Sequence, residues 1–207
     1  MRKLSPAIWA LVLSCLVPEL VLSGADWGLW GTTRWRDFAY GHGGFWPGLL
    51  AGWQPNYPGQ AWAMFLTYGV LHGGPVHFAV NMVSLVSLGE GVEERLGPWG
   101  FLRLYALSVL GGGLGYGALV TGTVPMVGAS GALFGLAGAL IFWGWSDRKA
   151  MSEPLWPVLR ALLWLIGLNV VLYLVTGGRL AWETHLGGFL AGVLVAWWEE
   201  RREAPPP

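Results

Sequence analysis

The chain has 207 residues, of which 54% are hydrophobic and only 12% charged, against about a quarter charged in a soluble domain. Twelve Lys and Arg balance twelve Asp and Glu, so no basic surface marks a nucleic-acid partner, and a single cysteine, Cys15, excludes a disulfide framework or a cysteine-based metal site. Fifteen Trp, a residue favoured at the membrane–water interface, point with the apolar bulk to one all-α polytopic membrane bundle rather than several soluble domains.

A membrane span needs about 20 mainly apolar residues. In chain order, segments 6–23, 75–91, 101–121, 128–146, 156–176 and 182–198 read as six spans. The first follows Arg2 and Lys3 as a secretory signal would. Five further spans follow, however, and "VLSGADWG" is a poor cleavage site, so the segment reads as a retained helix. Segment 24–74 is too polar and too rich in Gly and Pro to span. It carries Trp27, Trp30, Trp35, Trp46, Trp53 and Trp62 with Phe38, Tyr40, Phe45 and Tyr57, which suits a loop lying in the outer interface; an ordinary extracytoplasmic loop is the alternative. The end of the chain, 199–207, reads as a short solvated tail.

Orientation follows from Lys and Arg near the span ends. With the N-terminus inside, the inner face receives Arg2, Lys3, Arg95, Arg103, Arg148, Lys149, Arg160, Arg201 and Arg202, and the outer face only Arg34, Arg36 and Arg179. Both termini are therefore expected in the cytoplasm.

Polar groups inside spans are costly, and each demands an account. In "HGGPVHFAVNM", residues 72–82, Pro75 suits the first position of the second span, and His77 and Asn81 share a helical face at i, i+4. Ser130 falls in the first turn of the fourth span and His185 in the first turn of the sixth. These spans and the second all run inward, so Ser130, His185, His77 and Asn81 lie within about 10 Å of the outer helix ends, at a rise of 1.5 Å per residue.

Ser and His together can serve as nucleophile and general base. His77, Asn81 and the Ser130 backbone N–H can supply donors to an oxyanion. No carboxylate is placed to complete a triad, since Glu183 sits on a different helical face from His185; a Ser–His dyad is the expectation. Small residues supply the close approach of helices such a pair needs: Gly188 and Gly192 continue the stripe headed by His185, while Gly131, Gly135 and Gly138 lie beside the face shared by Ser130, Phe134 and Ala137. Taken singly, each has a plainer reading, with Ser130 and the glycines as packing residues and the histidines as structural ones. His72 reads as a loop hydrogen-bonding residue or, alternatively, a catalytic one, Glu93 as a helix-end salt bridge, and Glu19 and Asn169 as polar packing or interface residues.

These patterns together resemble the rhomboid family of intramembrane serine proteases over about residues 60–198. The family's Gly-x-Ser-Gly signature reads Gly128-Ala129-Ser130-Gly131, its His-x-x-x-Asn reads His77 to Asn81, and its sixth-helix His with a Gly-x-x-x-Gly stripe reads His185, Gly188 and Gly192. The run "GVEERLG", residues 91–97, matches the family at Glu93. The resemblance implies a six-helix rhomboid-like bundle, with Ser130 as nucleophile, His185 as base and His77 with Asn81 as oxyanion donors. Gly128, Gly131 and Phe134 then support the site. It further implies transmembrane helices as substrates, the lipid bilayer as partner, no metal or cofactor, and residence in a bacterial inner membrane. A non-proteolytic relative that binds membrane clients is the alternative. A small transporter would show broken helix pairs and inverted repeats, which the chain lacks. Two features depart from the family pattern: Phe134 stands where many members have Tyr, and "QAWAMFLTYG" has Trp62 but no Arg where many have a Trp-Arg pair.

Overall fold

The computed structural model describes residues 4–203; Arg2, Lys3 and residues 204–207 of the expected tail lie outside the described residues. The first helix, α1 (Pro6–Asp26), is capped by Ser5, whose side chain accepts the Ile8 N–H at 3.2 Å, and Pro6 pre-sets its first turn.

The segment expected to be a loop is substantially helical. It holds α2 (Arg34–Gly43) and α3 (Gln60–Thr67), with 3-10 turns at Pro47–Ala51 and Tyr68–Val70. Trp27, Trp30, Trp35, Trp53 and Trp62 are exposed, as suits an interfacial position. The segment is nevertheless pinned into the bundle. Phe45 is fully buried and meets Phe65, Tyr68 and Tyr116 edge-on at 4.8, 6.0 and 5.9 Å between ring centroids. Arg36 is a second pin. It donates to Asp26 at 2.6 Å, to Glu19 at 3.0 and 3.2 Å, and to the His72 carbonyl at 2.9 Å. The Tyr40 hydroxyl donates to the same carbonyl at 2.6 Å.

The expected spans 75–91 and 101–121 form one helical element, α4 (Pro75–Leu119), broken only at Gly97, which takes φ 69°. A continuous helix would separate Gly89 from Phe101 by about 18 Å at 1.5 Å per residue. Instead the Phe101 ring lies 3.3 Å from the position of a Cβ on Gly89. The chain folds back at Gly97-Pro98, and the residues between the expected spans stay helical because Glu, Arg and Leu are strong helix formers. Glu93, expected in an ion pair, accepts a hydrogen bond from Ser5.

The remaining helices are α5 (Ser130–Ala150), α6 (Trp156–Val175) and α7 (Trp182–Glu203). Glycine contacts hold α7 to its neighbours. A Cβ on Gly188 would land on the Gly131 carbonyl of α5, and one on Gly192 on the Gly135 carbonyl. Across the other face, a Cβ on Gly187 would strike the Gly111 carbonyl of α4. By contrast, no residue of α6 is fully buried.

By length and composition α1 and α6 are each apolar enough to cross a membrane, with mean hydropathy 1.9 and 2.2. The bent pair Gln60–Val70 and α4, at 81°, is a third candidate. The helices α5 and α7 are less apolar because close packing takes glycine where leucine would otherwise stand, and because charges cluster at their C-terminal ends.

Candidate active site

Ser130 is the first residue of α5. Two residues earlier, Gly128 has φ 130°, where a side chain is strained, and its N–H donates to the Tyr68 carbonyl at 2.9 Å. The entry into α5 is thereby tied to the end of the interfacial segment. His185 lies in the first turn of α7 and is buried. The glycine seam between these helices brings Ser130 Oγ to 2.9 Å from His185 Nε2 across 55 positions of sequence.

The His185 ring is held on two further sides. Phe134, one turn below Ser130, stacks on it with centroids 4.0 Å apart and planes 4° from parallel, so the ring contact survives without a tyrosine hydroxyl. His185 Nδ1 lies 2.8 Å from Asn169 Oδ1 on α6. Asn169 was expected among polar packing residues; it is instead a direct partner of His185. A carbonyl oxygen only accepts, so Nδ1 carries the proton and Nε2 is left as the acceptor for the Ser130 hydroxyl.

His77 faces the same space. A Cβ placed on Gly128 would lie 2.8 Å from His77 Cε1, 3.0 Å from His77 Nε2 and 3.9 Å from Ser130 Oγ. The absent side chain at Gly128 therefore leaves a small recess bounded by Ser130 and His77. The Gly73 N–H donates to His77 Nδ1 at 3.0 Å, which puts the His77 proton on Nε2, toward that recess. The Ser130 N–H opens a helix, where the first amides have no intrahelical acceptor. Asn81 is buried one turn below His77; its Nδ2 donates to the His77 carbonyl at 2.8 Å, and its Oδ1 has no partner.

His72 departs from its expected role. Neither ring nitrogen has a hydrogen-bond partner; its backbone carbonyl makes the bonds, to Arg36 and Tyr40. No Trp-Arg pair stands in the stretch "QAWAMFLTYG" before α4; Arg36, much earlier in the chain, anchors the interfacial segment, with Glu19 as its ion-pair partner at 3.0 Å. Among the described residues no three His, Cys, Asp or Glu side chains gather as a metal ion requires. An apolar cleft of about 570 Å³ lies elsewhere, between α6 and α5 with Leu88 of α4.

The sequence model of the rhomboid domain matches residues 58–202. The chain belongs to the rhomboid family. Among its curated relatives, Rhomboid protease GluP of Bacillus subtilis (strain 168) is 31% identical over 142 residues, covering 65% of this chain and 25% of that protein. RHOMBOID-like protein 5 of Arabidopsis thaliana is 38% identical over 133 residues, 59% of this chain and 39% of the relative. Rhomboid-type serine protease 2 of Emericella nidulans is 31% identical over 135 residues, 64% and 26%. This rhomboid chain thus spans between a quarter and two fifths of the length of these relatives. Family membership and the apolar helices mark an integral membrane protein.

Proposed function

We propose that this rhomboid chain is an intramembrane serine endopeptidase that cleaves transmembrane-helix substrates near the outer membrane face. The observation that carries the reading is the 2.9 Å approach of Ser130 Oγ to His185 Nε2. Two relatives whose names describe proteases, from Bacillus subtilis and Emericella nidulans, support it.

In this mechanism Ser130 Oγ attacks the scissile carbonyl carbon as its proton passes to His185 Nε2. The carbonyl π-electrons move onto oxygen, and the oxyanion enters the recess at Gly128. His77 Nε2–H and the Ser130 N–H donate to it there, with the second N–H of Asn81 Nδ2 as a further donor within the same face. Collapse expels the amine, which takes the proton back from His185. Water then repeats the sequence on the acyl-enzyme and frees Ser130. Phe134 keeps the His185 ring in plane throughout.

The topology belongs to the same proposal. The two arms of α4 count as separate spans, giving six with α1, α5, α6 and α7. The nine-to-three distribution of Lys and Arg puts both termini in the cytoplasm, and the site then opens outward, in a bacterial inner membrane. The test is cleavage of a transmembrane reporter helix by purified protein in proteoliposomes, beside Ser130→Ala and His185→Ala. Both variants are expected to be inert, and only active protein should take up a fluorophosphonate at Ser130. Cleavage persisting in Ser130→Ala would overturn the proposal. A wild type that bound the helix without cutting it would favour a non-proteolytic client-binding role.

A further inference from the structure

The side chain of Asn169 lies in the middle of α6, a helix with no fully buried residue and a hydropathy suited to lipid. An amide at that depth is costly without a partner, and this one is half-buried against His185. The 2.8 Å contact places an obligate acceptor, Oδ1, on His185 Nδ1. Three consequences follow from the chemistry of imidazole. The ring is held as the Nδ1–H tautomer, the only neutral form able to accept the Ser130 proton at Nε2. The ring is fixed in rotation about its Cβ–Cγ bond, because Nδ1 and Nε2 are each engaged and Phe134 covers one face. And when Nε2 gains the proton, the amide dipole faces the positive charge with its negative end.

We infer that Asn169 is a positioning residue for His185, completing a Ser130–His185–Asn169 relay in which the third member is neutral and stands on a different helix from the other two. This rests on the serine-protease reading of Ser130 and His185. No proton leaves Nδ1 at any stage: an amide oxygen is far too weak a base to take it, so Asn169 orients and polarises only. The glycine seam fixes the positions of Ser130 and His185 through α5 and α7, whereas the tautomer depends on α6. Alignment of the base therefore depends on the seating of a helix whose remaining contacts are apolar.

The experiment compares wild type with Asn169→Leu, Asn169→Asp and Ser130→Ala in proteoliposomes. Leu matches Asn closely in size and is at home in lipid, so a residue that merely packs would tolerate it. The expected result is a fall in kcat of about 10- to 100-fold for Asn169→Leu, the range that a small misplacement of a catalytic group produces, with KM and the melting temperature little changed. Asn169→Asp keeps an acceptor at the same place and is expected to recover most of the rate.

The second readout is independent of cleavage. The chain has four His, and selective ring-¹⁵N labelling resolves which nitrogen of His185 is protonated: Nδ1 in wild type, with the preference lost in Asn169→Leu. Equal kcat for wild type and Asn169→Leu, or a wild-type His185 protonated on Nε2, would overturn the inference. Cleavage by Ser130→Ala would sink the protease reading instead, and the ring-nitrogen signals would still decide whether Asn169 sets the His185 tautomer.

Discussion

Gly128→Ala is the most direct perturbation of the proposed oxyanion recess. The added methyl would lie 2.8 Å from His77 Cε1 and 3.0 Å from Nε2, whereas relaxed non-bonded contacts sit at about 3.5–4.0 Å. The His77 ring or the Gly128 backbone must therefore give by roughly 0.7–1 Å. Neither is free to do so, because the Gly128 N–H is bonded to Tyr68 and the His77 ring to Gly73, at 2.9 and 3.0 Å. Losing one oxyanion donor costs about 10²–10³ in kcat, or about 3–4 kcal/mol of transition-state stabilisation. The φ of 130° adds on the order of 1–3 kcal/mol of backbone strain to the folded state. The assay is kcat and KM for a transmembrane reporter in proteoliposomes, with fluorophosphonate labelling of Ser130 and a thermal melt on the same preparation. A lower melting temperature, a kcat reduced by about two to three orders of magnitude and slowed labelling, with KM little affected, are expected. A variant that folds and retains kcat within about threefold of wild type, when loss of a donor costs at least a hundredfold, would refute the placement of the oxyanion at Gly128.

Phe134→Ala removes the ring that stacks on His185; aromatic pairs of this kind are worth about 0.5–1.5 kcal/mol, so kcat should drop by roughly 2- to 12-fold, while Phe134→Tyr keeps near-wild-type turnover. Arg36→Met strands the Glu19 carboxylate, whose side chain is 4% exposed, leaving it only the Ser23 hydroxyl at 2.6 Å. Breaking such a buried pair costs on the order of 3 kcal/mol, seen as a lower melting temperature, and Glu19→Gln added to Arg36→Met should restore much of it. A simple sum of the two single effects would contradict the pairing. His72, in the turn before α4 and outside the proposed spans, has its pKa lowered to about 4 by burial and by the neighbouring His77. The unfolded chain titrates this group near 6.5, so it binds more protons than the folded one between those values. Stability is therefore fully present above about pH 6.5 and falls as pH drops toward 4, by about 3 kcal/mol in all. His72→Phe should flatten that slope in acid melts.

The juxtaposition of Ser130 and His185 was legible because both sit at the starts of helices running the same way, and because glycine at helical spacing marks the faces that touch. Arg36 and Asn169 were not, since their partners lie 17 and 16 positions away across helix boundaries, where periodicity carries no information. Yet Asn169 had a signal: an amide in the middle of an apolar span requires a partner, and a histidine on another helix is a natural one. The turn inside α4 had a signal too, in Gly97-Pro98, a dipeptide that punctuates helices; reading hydrophobicity alone hid it. The α2 and α3 helices were obscured because their residues are chosen for an interface, with aromatics facing outward and glycines between, which blurs the 3.6-residue pattern.

The seams at Gly131, Gly135, Gly188 and Gly192 also bear on heat and on lipid. A contact made of main chain against main chain has no rotamers to repopulate, so the separation of the Ser130 and His185 backbones cannot drift by degrees as temperature rises or as the bilayer thins. It is held until α5 and α7 part, and then lost altogether. Gradual loss of turnover below the melting transition would then have to come from elsewhere, in the side-chain rotamers of Ser130 and His185 and of Asn169 and Phe134, which hold the His185 ring.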